Sequence, residues 1–258
     1  LDIVFAYFTL KNVTETKKSK LEFISLILST FGFGGLLIGV SNVGAYSISN
    51  PITYIPITVG IISLILFTIR QFKVNSPLLN LRVLKSKQLV ISVIILIILY
   101  ASFTSATMIL SLYIQSTRKM SAMIPGLVML PGSILMSLLS PISGRILDKH
   151  GVRILAISGF VCLAIGTFSF SNLSETTSIL MLTIIYSFRM LGITLLLMPI
   201  TTWGLNSLKS SEIADGSAIS STLRQVSGAI GSSVFISIMT SVTKHSLSNS
   251  KIISDIAG

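Results

Sequence analysis

The sequence predicts an all-α polytopic membrane protein, and three observations carry that reading. Hydrophobic residues make up 51% of the 258 and charged ones only 10%, against roughly 25% charged in an ordinary soluble domain; the mean hydropathy is +0.88. Seven apolar runs, at about 21–40, 51–69, 88–115, 121–143, 152–172, 177–202 and 216–243, approach or exceed the roughly 20 residues with which a helix spans the hydrocarbon core. Basic residues collect in alternate connectors: segments 10–20, 70–87, 144–153 and 203–215 hold 13 of the 19 Lys and Arg residues, whereas 41–50, 116–120, 171–176 and 244–258 hold four. Lys and Arg favour cytoplasmic loops, so the first set is cytoplasmic and the tail lies outside.

Taken in order, residues 1–20 read as the end of a preceding helix, Leu1 to Leu10, followed by the basic connector KNVTETKKSK. The chain starts abruptly in that helix, so further sequence is expected upstream. Residues 21–70 form a transmembrane helix pair joined by the uncharged turn NVGAYSISNP, with Gly35 and Gly39 spaced as a helix-packing surface. A second basic connector, 71–87, leads into five further helices over 88–243, and 244–258 is an extracytoplasmic tail. Pro125, Pro131 and Pro141 predict a bent helix in the run 121–143. Lone Cys162 is a small buried hydrophobe in this setting.

The exclusions are informative. No G-x-x-x-x-G-K-[ST] loop offers a cradle for ATP phosphates, and no G-x-S-x-G elbow offers a nucleophile. His150 and His245 fall on opposite sides of the membrane and there is no cysteine pair, so no metal site of usual spacing can be assembled. An enzyme is not expected, nor an organic cofactor. The net charge of +11 sits in separate loop clusters rather than on one face, which argues against nucleic acid and for topology plus attraction to anionic lipid heads.

Two arginines lie inside spans. Arg189 is near the middle of 177–202, roughly 18 Å from either end at about 1.5 Å per residue, beyond easy snorkelling. A charge there costs about 2.5 to 3.5 kcal/mol on insertion scales, so Arg189 must face protein or water; it is either a tether between helices or a cavity residue. Arg224 lies about 12 Å from the cytoplasmic start of its span and can snorkel, with Gln225 beside it. Its face carries Ser217, Ser221, Gly228 and Gly231 or Ser232, small residues that let another helix approach. No Asp or Glu lies deep in any of the seven runs, so an acid for proton coupling is expected outside them.

The least apolar connector, GRILDKHGVR at 144–153, carries Gly144-x-x-x-Asp148-Lys149-x-Gly151-x-Arg153. That pattern resembles the G-x-x-x-D-[RK]-x-G-[RK] cytoplasmic loop of the major facilitator superfamily, in its second-half copy. The stretches PLLNLRVLKSKQLV (77–90), RMLGITLLLMPITTWGLNSL (189–208) and GSAISSTLRQVSGAIGSSV (216–234) resemble corresponding stretches of its 14-helix drug:proton antiporters. The resemblance implies a major facilitator-type helical bundle: 21–70 as the inserted linker helices, 88–243 as five helices of the C-terminal transporter half, and an N-terminal half as its partner. It also implies a latch. Asp148 would cap the helix beginning near Val152, Gly144 and Gly151 would permit a tight turn, and Arg145, Lys149 and Arg153 would pair with the facing half as the protein alternates access.

In such folds the runs 88–115 and 177–202 line the central cavity. Tyr100, Thr104, Thr107, Met108 and Ser111 recur at helical spacing on the first, with Tyr186 on the second, giving a polar and polarizable surface suited to lipophilic substrates; ordinary helix packing predicts a similar stripe. The function expected is proton-coupled multidrug efflux across the bacterial cytoplasmic membrane, the partners being a small lipophilic substrate, protons and the bilayer. A dedicated exporter of one metabolite or antibiotic, and a non-transporting sensor or channel scaffold, are the alternatives.

Overall fold

The computed structural model describes residues 22–43, 46, 48–74, 79–171, 174 and 176–257, with the side chains of 241 and 244–257 left aside; within these the fold is helical and contains no strand. The expected helix end at 1–10, the connector 11–20 and Glu175 lie outside the described residues.

Helices α1 (Phe23–Val43) and α2 (Pro51–Lys73) form an antiparallel pair. The Asn50 side chain accepts from the Ile52 amide at 3.0 Å and Pro51 follows it, a start signal in which one orphan donor is satisfied and another is absent. The pair crosses on glycine: a Cβ on Gly35 would stand 2.7 Å from the Pro56 carbonyl oxygen and 3.0 Å from Gly60 Cα. Only a missing side chain permits that approach, and it is the packing role expected of Gly35. Glu22 and Arg70 close one end at 3.4 Å, and Asn42 donates to the Ile52 carbonyl at the other.

After a 3₁₀ turn, Leu81–Lys85, helix α3 (Lys87–Leu112) starts on the Ser86 cap and runs into a π-helical turn, Tyr113–Thr117. Helix α4 (Met123–Ser171) is two helices meeting at Gly151, which has φ 76° and ψ 171°. Pro131 and Pro141 lie inside the first arm, each removing one amide donor from the ladder, while the backbone leaves helical geometry at Gly151. Helix α5 (Ile179–Leu205) packs between both arms of α4 and against α3, and α6 (Ile213–Ala257) packs on α3. Beyond Thr243 the chain has no Pro or Gly before Gly258, and helix α6 accordingly continues through residues expected as a tail.

The helices alternate in direction. Ser86 and Ser207 hydroxyls meet at 2.7 Å, Gln88 donates to the Trp203 carbonyl, and the Asn80 amide donates to Asp215, all at the end that holds Glu22 and Arg70. At the opposite end Tyr113 donates to the Ser174 carbonyl and Arg118 to that of Thr177. The arms of α4 climb α5 in register: Gly132 lies against Tyr186 and Gly144 against Met198, then Gly159 against Leu196 and Gly166 against Arg189. Gly151 is therefore at the basic end.

The main core is Leu96, Leu99, Leu110, Ile114, Val128, Leu182, Tyr186, Met190, Ile193, Leu196 and Ile200, with α5 at its centre. Outward faces are apolar too, as with Ile55, Ile62, Leu138, Ile157 and Phe168, which is the pattern of helices solvated by lipid rather than water. Five helical segments, α1, α2, Lys87–Thr117, α4 and α5, are long and apolar enough to cross a membrane. Since α4 folds back at Gly151, it accounts for two of the expected runs. Helix α6, rich in Ser, Gly and Thr, is the least apolar of the long helices. The chain is a multi-pass membrane protein.

Candidate functional site

Three places on this frame hold the residues singled out in the sequence. The first is the corner at Gly151. Residues 144–150 continue the first arm of α4 as helix, so the turn is made by one residue where a ten-residue loop was expected. Gly144 is helical, and a Cβ there would meet only Met198 Cε at 3.5 Å; its absence is not needed for a turn. Arg145, Asp148, Lys149, His150 and Arg153 are exposed, and among the described residues none takes part in a hydrogen bond or ion pair. Asp148 accepts no amide of the second arm, contrary to the capping role expected, because the helix before Gly151 carries it away from those amides. The corner thus presents three cations and one acid with unused bonding capacity.

The second place is mid-bundle. Arg189 is 1% exposed. Its Nη2 donates to the carbonyl and hydroxyl oxygens of Ser102, each at 3.0 Å, and its Nε to Thr167 Oγ1 at 3.4 Å. Nη1 has no partner among the described residues. Arg189 also forms part of the wall of a cavity of about 350 Å³ with Ser102, Ser105, Tyr113, Phe170 and Phe235. The guanidinium ties three helices together, and Arg189 borders the cavity as well. It has to do so, since a mid-membrane cation without such acceptors would be left bare in hydrocarbon.

The third place is a groove on the other face of α3. Tyr100 and Phe103 of α3, Met136 of α4, Ile193 and Leu197 of α5, and Ser221, Arg224 and Gln225 of α6 line a cleft of about 380 Å³. Phe103 also borders an adjoining cleft of about 430 Å³, where Thr104, Thr107, Met108 and Ser111 face Ala122, Pro125, Gly126 and Met129. The rings of Tyr100 and Phe103 pack tilted at 5.6 Å. Arg224 donates to Ser221 Oγ at 3.1 Å, one turn earlier on its own helix, and the rest of its fork, which borders the groove, has no partner among the described residues.

The packing that opens this groove follows from small residues. A Cβ on Gly231 would stand 2.7 Å from Ala101 Cβ and 2.8 Å from Ala101 Cα, so α6 rests directly on the α3 backbone. Thr104 Oγ1 donates across that contact to the Gly228 carbonyl at 2.9 Å while lying near its own Tyr100 carbonyl. Its hydroxyl therefore serves the helix contact more than the cleft. Thr107 spends its hydroxyl on Phe103, and Ser111 accepts from Gln115.

Most of the residues chosen from the sequence thus come together: Tyr100, Arg224 and Gln225 in one cleft, Thr104, Thr107, Met108 and Ser111 in the next. Tyr186 does not join them. It is 3% exposed and packs in the core against Gly132, on the same α5 face as the groove residue Ile193 but about 10 Å further along the helix. Ile193 and Leu197, with Phe103 and Met136, were missed; apolar residues at helical spacing carry no mark distinguishing a cavity wall from a core. Among the described residues no group of His, Cys, Asp and Glu could hold a metal.

Comparison with known proteins matches residues 16–232 to the Major Facilitator Superfamily. The chain is 40% identical over 241 residues to "Lincomycin resistance protein LmrB" of Bacillus subtilis (strain 168), covering 93% of this chain and 50% of that protein. It is 39% identical over 245 residues to "Uncharacterized MFS-type transporter YcnB" of the same organism, covering 95% and 52%. It is 27% identical over 230 residues to "Probable multidrug resistance protein EmrY" of Escherichia coli (strain K12), covering 87% and 44%. The chain spans about half the length of the curated relatives it matches.

Proposed function

The chain belongs to the Major Facilitator Superfamily, and on that premise we propose that it forms one wall of a proton-coupled exporter of lipophilic or amphipathic compounds in the bacterial cytoplasmic membrane. The observation that carries this reading is the paired groove. Aromatic rings, a thioether and a few hydroxyls supply a large, polarizable and loosely specific surface, while Arg224 and Gln225 add directional hydrogen bonds at the end nearer the basic corner. The facing wall comes from sequence that the longer relatives carry beyond the matched half. Names given to several relatives, as lincomycin or multidrug resistance proteins, support drug-like substrates.

Alternating access needs contacts that form in one state and break in the other. Exposed Arg145, Lys149 and Arg153, none with a partner among the described residues, are suited to pair with acids or helix C-termini of the facing wall when the cavity opens outward. Protons supply the driving force, through an acid outside the seven apolar runs.

The test is dye efflux from proteoliposomes containing the protein expressed from its complete reading frame. Saturable export that rises with an imposed pH gradient and collapses with an uncoupler is expected; export indifferent to the gradient would sink the coupling. A second reading, a dedicated exporter, is favoured by the relatives named for lincomycin alone. Competition by structurally unrelated cationic and neutral dyes separates the two, because a dedicated site would ignore most of them.

A further inference from the structure

We infer that the cleft between the helix pair and the bundle holds one acyl chain of an anionic phospholipid, with Gln71 and the basic 3₁₀ turn gripping its headgroup region. This site is separate from the groove above and does not rest on what that groove carries. The cleft encloses about 300 Å³ between Phe33 of α1, Phe67 and Phe72 of α2, Leu81 and Leu84 of the 3₁₀ turn, and Leu223 of α6. That is room for roughly ten waters by liquid volume, each of which needs two to four polar partners. The wall offers two hydroxyls, Thr68 and Thr222, and both are spent on their own helices, on the Leu64 and Ala218 carbonyls. Water has no reason to stay, and an apolar occupant does.

Gln71 identifies the occupant further. It is only 4% exposed, one turn along α2 from the cleft residues Phe67 and Thr68 and beside the cleft residue Leu79. Its Oε1 accepts from the amide of Leu79, a residue of the cleft wall, at 3.1 Å, which fixes the orientation of the side-chain amide. Nε2 is then a buried donor with no partner among the described residues. A donor left bare in this way is costly, so an acceptor is called for, and an ester carbonyl or phosphate oxygen above an acyl chain is one.

Charge selects the headgroup. Lys73, Arg82, Lys85 and Lys87 flank the cleft residues Phe72, Leu81 and Leu84 in sequence, are exposed, and have no ion-pair partner among the described residues. Of the acids at this end, Asp215 accepts from the Asn80 amide, Glu212 stands one turn before it, and Glu22 is taken by Arg70, so cations outnumber the remaining acids. Four free cations beside an apolar slot at the membrane surface favour a lipid of net negative charge, each cation contributing about fivefold to the preference.

The experiment places Leu84→Trp in a background in which every other tryptophan of the complete reading frame, Trp203 included, is replaced by Phe, with the protein in nanodiscs. Phosphatidylglycerol or phosphatidylcholine with brominated acyl chains is then added at equal fraction. Stronger quenching by the anionic lipid is expected, weakened several-fold in Gln71→Glu, which keeps the acceptor for Leu79 but loses the donor, and in Arg82→Gln/Lys85→Gln. Equal quenching by both lipids overturns the proposal, as does quenching by neither, the result for a cleft filled by protein. A preference untouched by both variants overturns it too. Native mass spectrometry of the unmodified protein gives a check free of folding effects: retained phosphatidylglycerol supports the site, and its loss before bulk lipid refutes it.

Discussion

Arg189 Nη2 donates to both oxygens of Ser102, at 3.0 Å each, and so fastens α5 to α3 in the middle of the bundle without an acidic partner. Neutral acceptors offset only part of the desolvation cost of a cation, so the arrangement behaves asymmetrically to mutation. Ser102→Ala removes one acceptor and leaves the charge in place, so a loss of about 1–2 kcal/mol is expected. Arg189→Met removes the demand itself while retaining volume, and stability stays within about 1 kcal/mol of the parent or rises. Thermal unfolding in detergent measures both; Arg189→Met falling well below Ser102→Ala contradicts the account.

The two glycines of the corner motif are expected to respond with opposite signs. Gly151 has φ 76° and ψ 171°, a region nearly closed to other residues, so Gly151→Ala costs about 1–3 kcal/mol although a Cβ there would touch nothing. Gly144 is helical, and Gly144→Ala gains about 0.5–1 kcal/mol. Unfolding midpoints of the two variants, measured side by side, decide it.

Backbone contact between α3 and α6 should be intolerant of a single methyl. Gly231→Ala would bring its Cβ within 3 Å of Ala101 main-chain atoms, and a loss of about 1–3 kcal/mol is expected. Gly34→Ala, with nothing within 4 Å, is the control and is neutral or stabilising. Protease resistance in detergent reports the difference; equal resistance means the helices separate freely.

Within the groove, structure and transport should part company. Thr104→Val breaks the bond to the Gly228 carbonyl and lowers stability by about 0.6–1 kcal/mol, with the substrate profile unchanged. Met108→Ala, at an exposed position of the cleft, shifts KM for lipophilic dyes with little effect on unfolding. Vesicle efflux kinetics and thermal unfolding on both variants test the split, and a changed substrate order in Thr104→Val counts against it.

Much of the frame was legible in advance because transfer from water to hydrocarbon is local. Each apolar run carries its own free energy of insertion, and each basic connector its own preference for one side. Boundaries followed where a start signal exists, as at Asn50–Pro51 and Ser86, and failed where helix continues by default: residues 144–150 had no stop until Gly151 allowed one. The role given to Asp148 failed for the same reason.

Which faces meet was a different matter. On α3, Tyr100, Phe103, Thr104 and Thr107 lie on one side and Ser102 and Ser105 on another, continued by Tyr113 of the π-helical turn, and both series read as mixed polar stripes. Tyr186 and Arg189 are three residues apart on α5, yet one is core and the other borders a cavity. The sequence by itself determined what enters lipid and which connectors share one end, since those energies add residue by residue. Only the tertiary structure decided that Arg224 shares a groove with Tyr100 while Arg189 answers to Ser102, because that choice depends on close approach at Gly231 and Gly166, where the absence of a side chain lets one backbone lie against another helix.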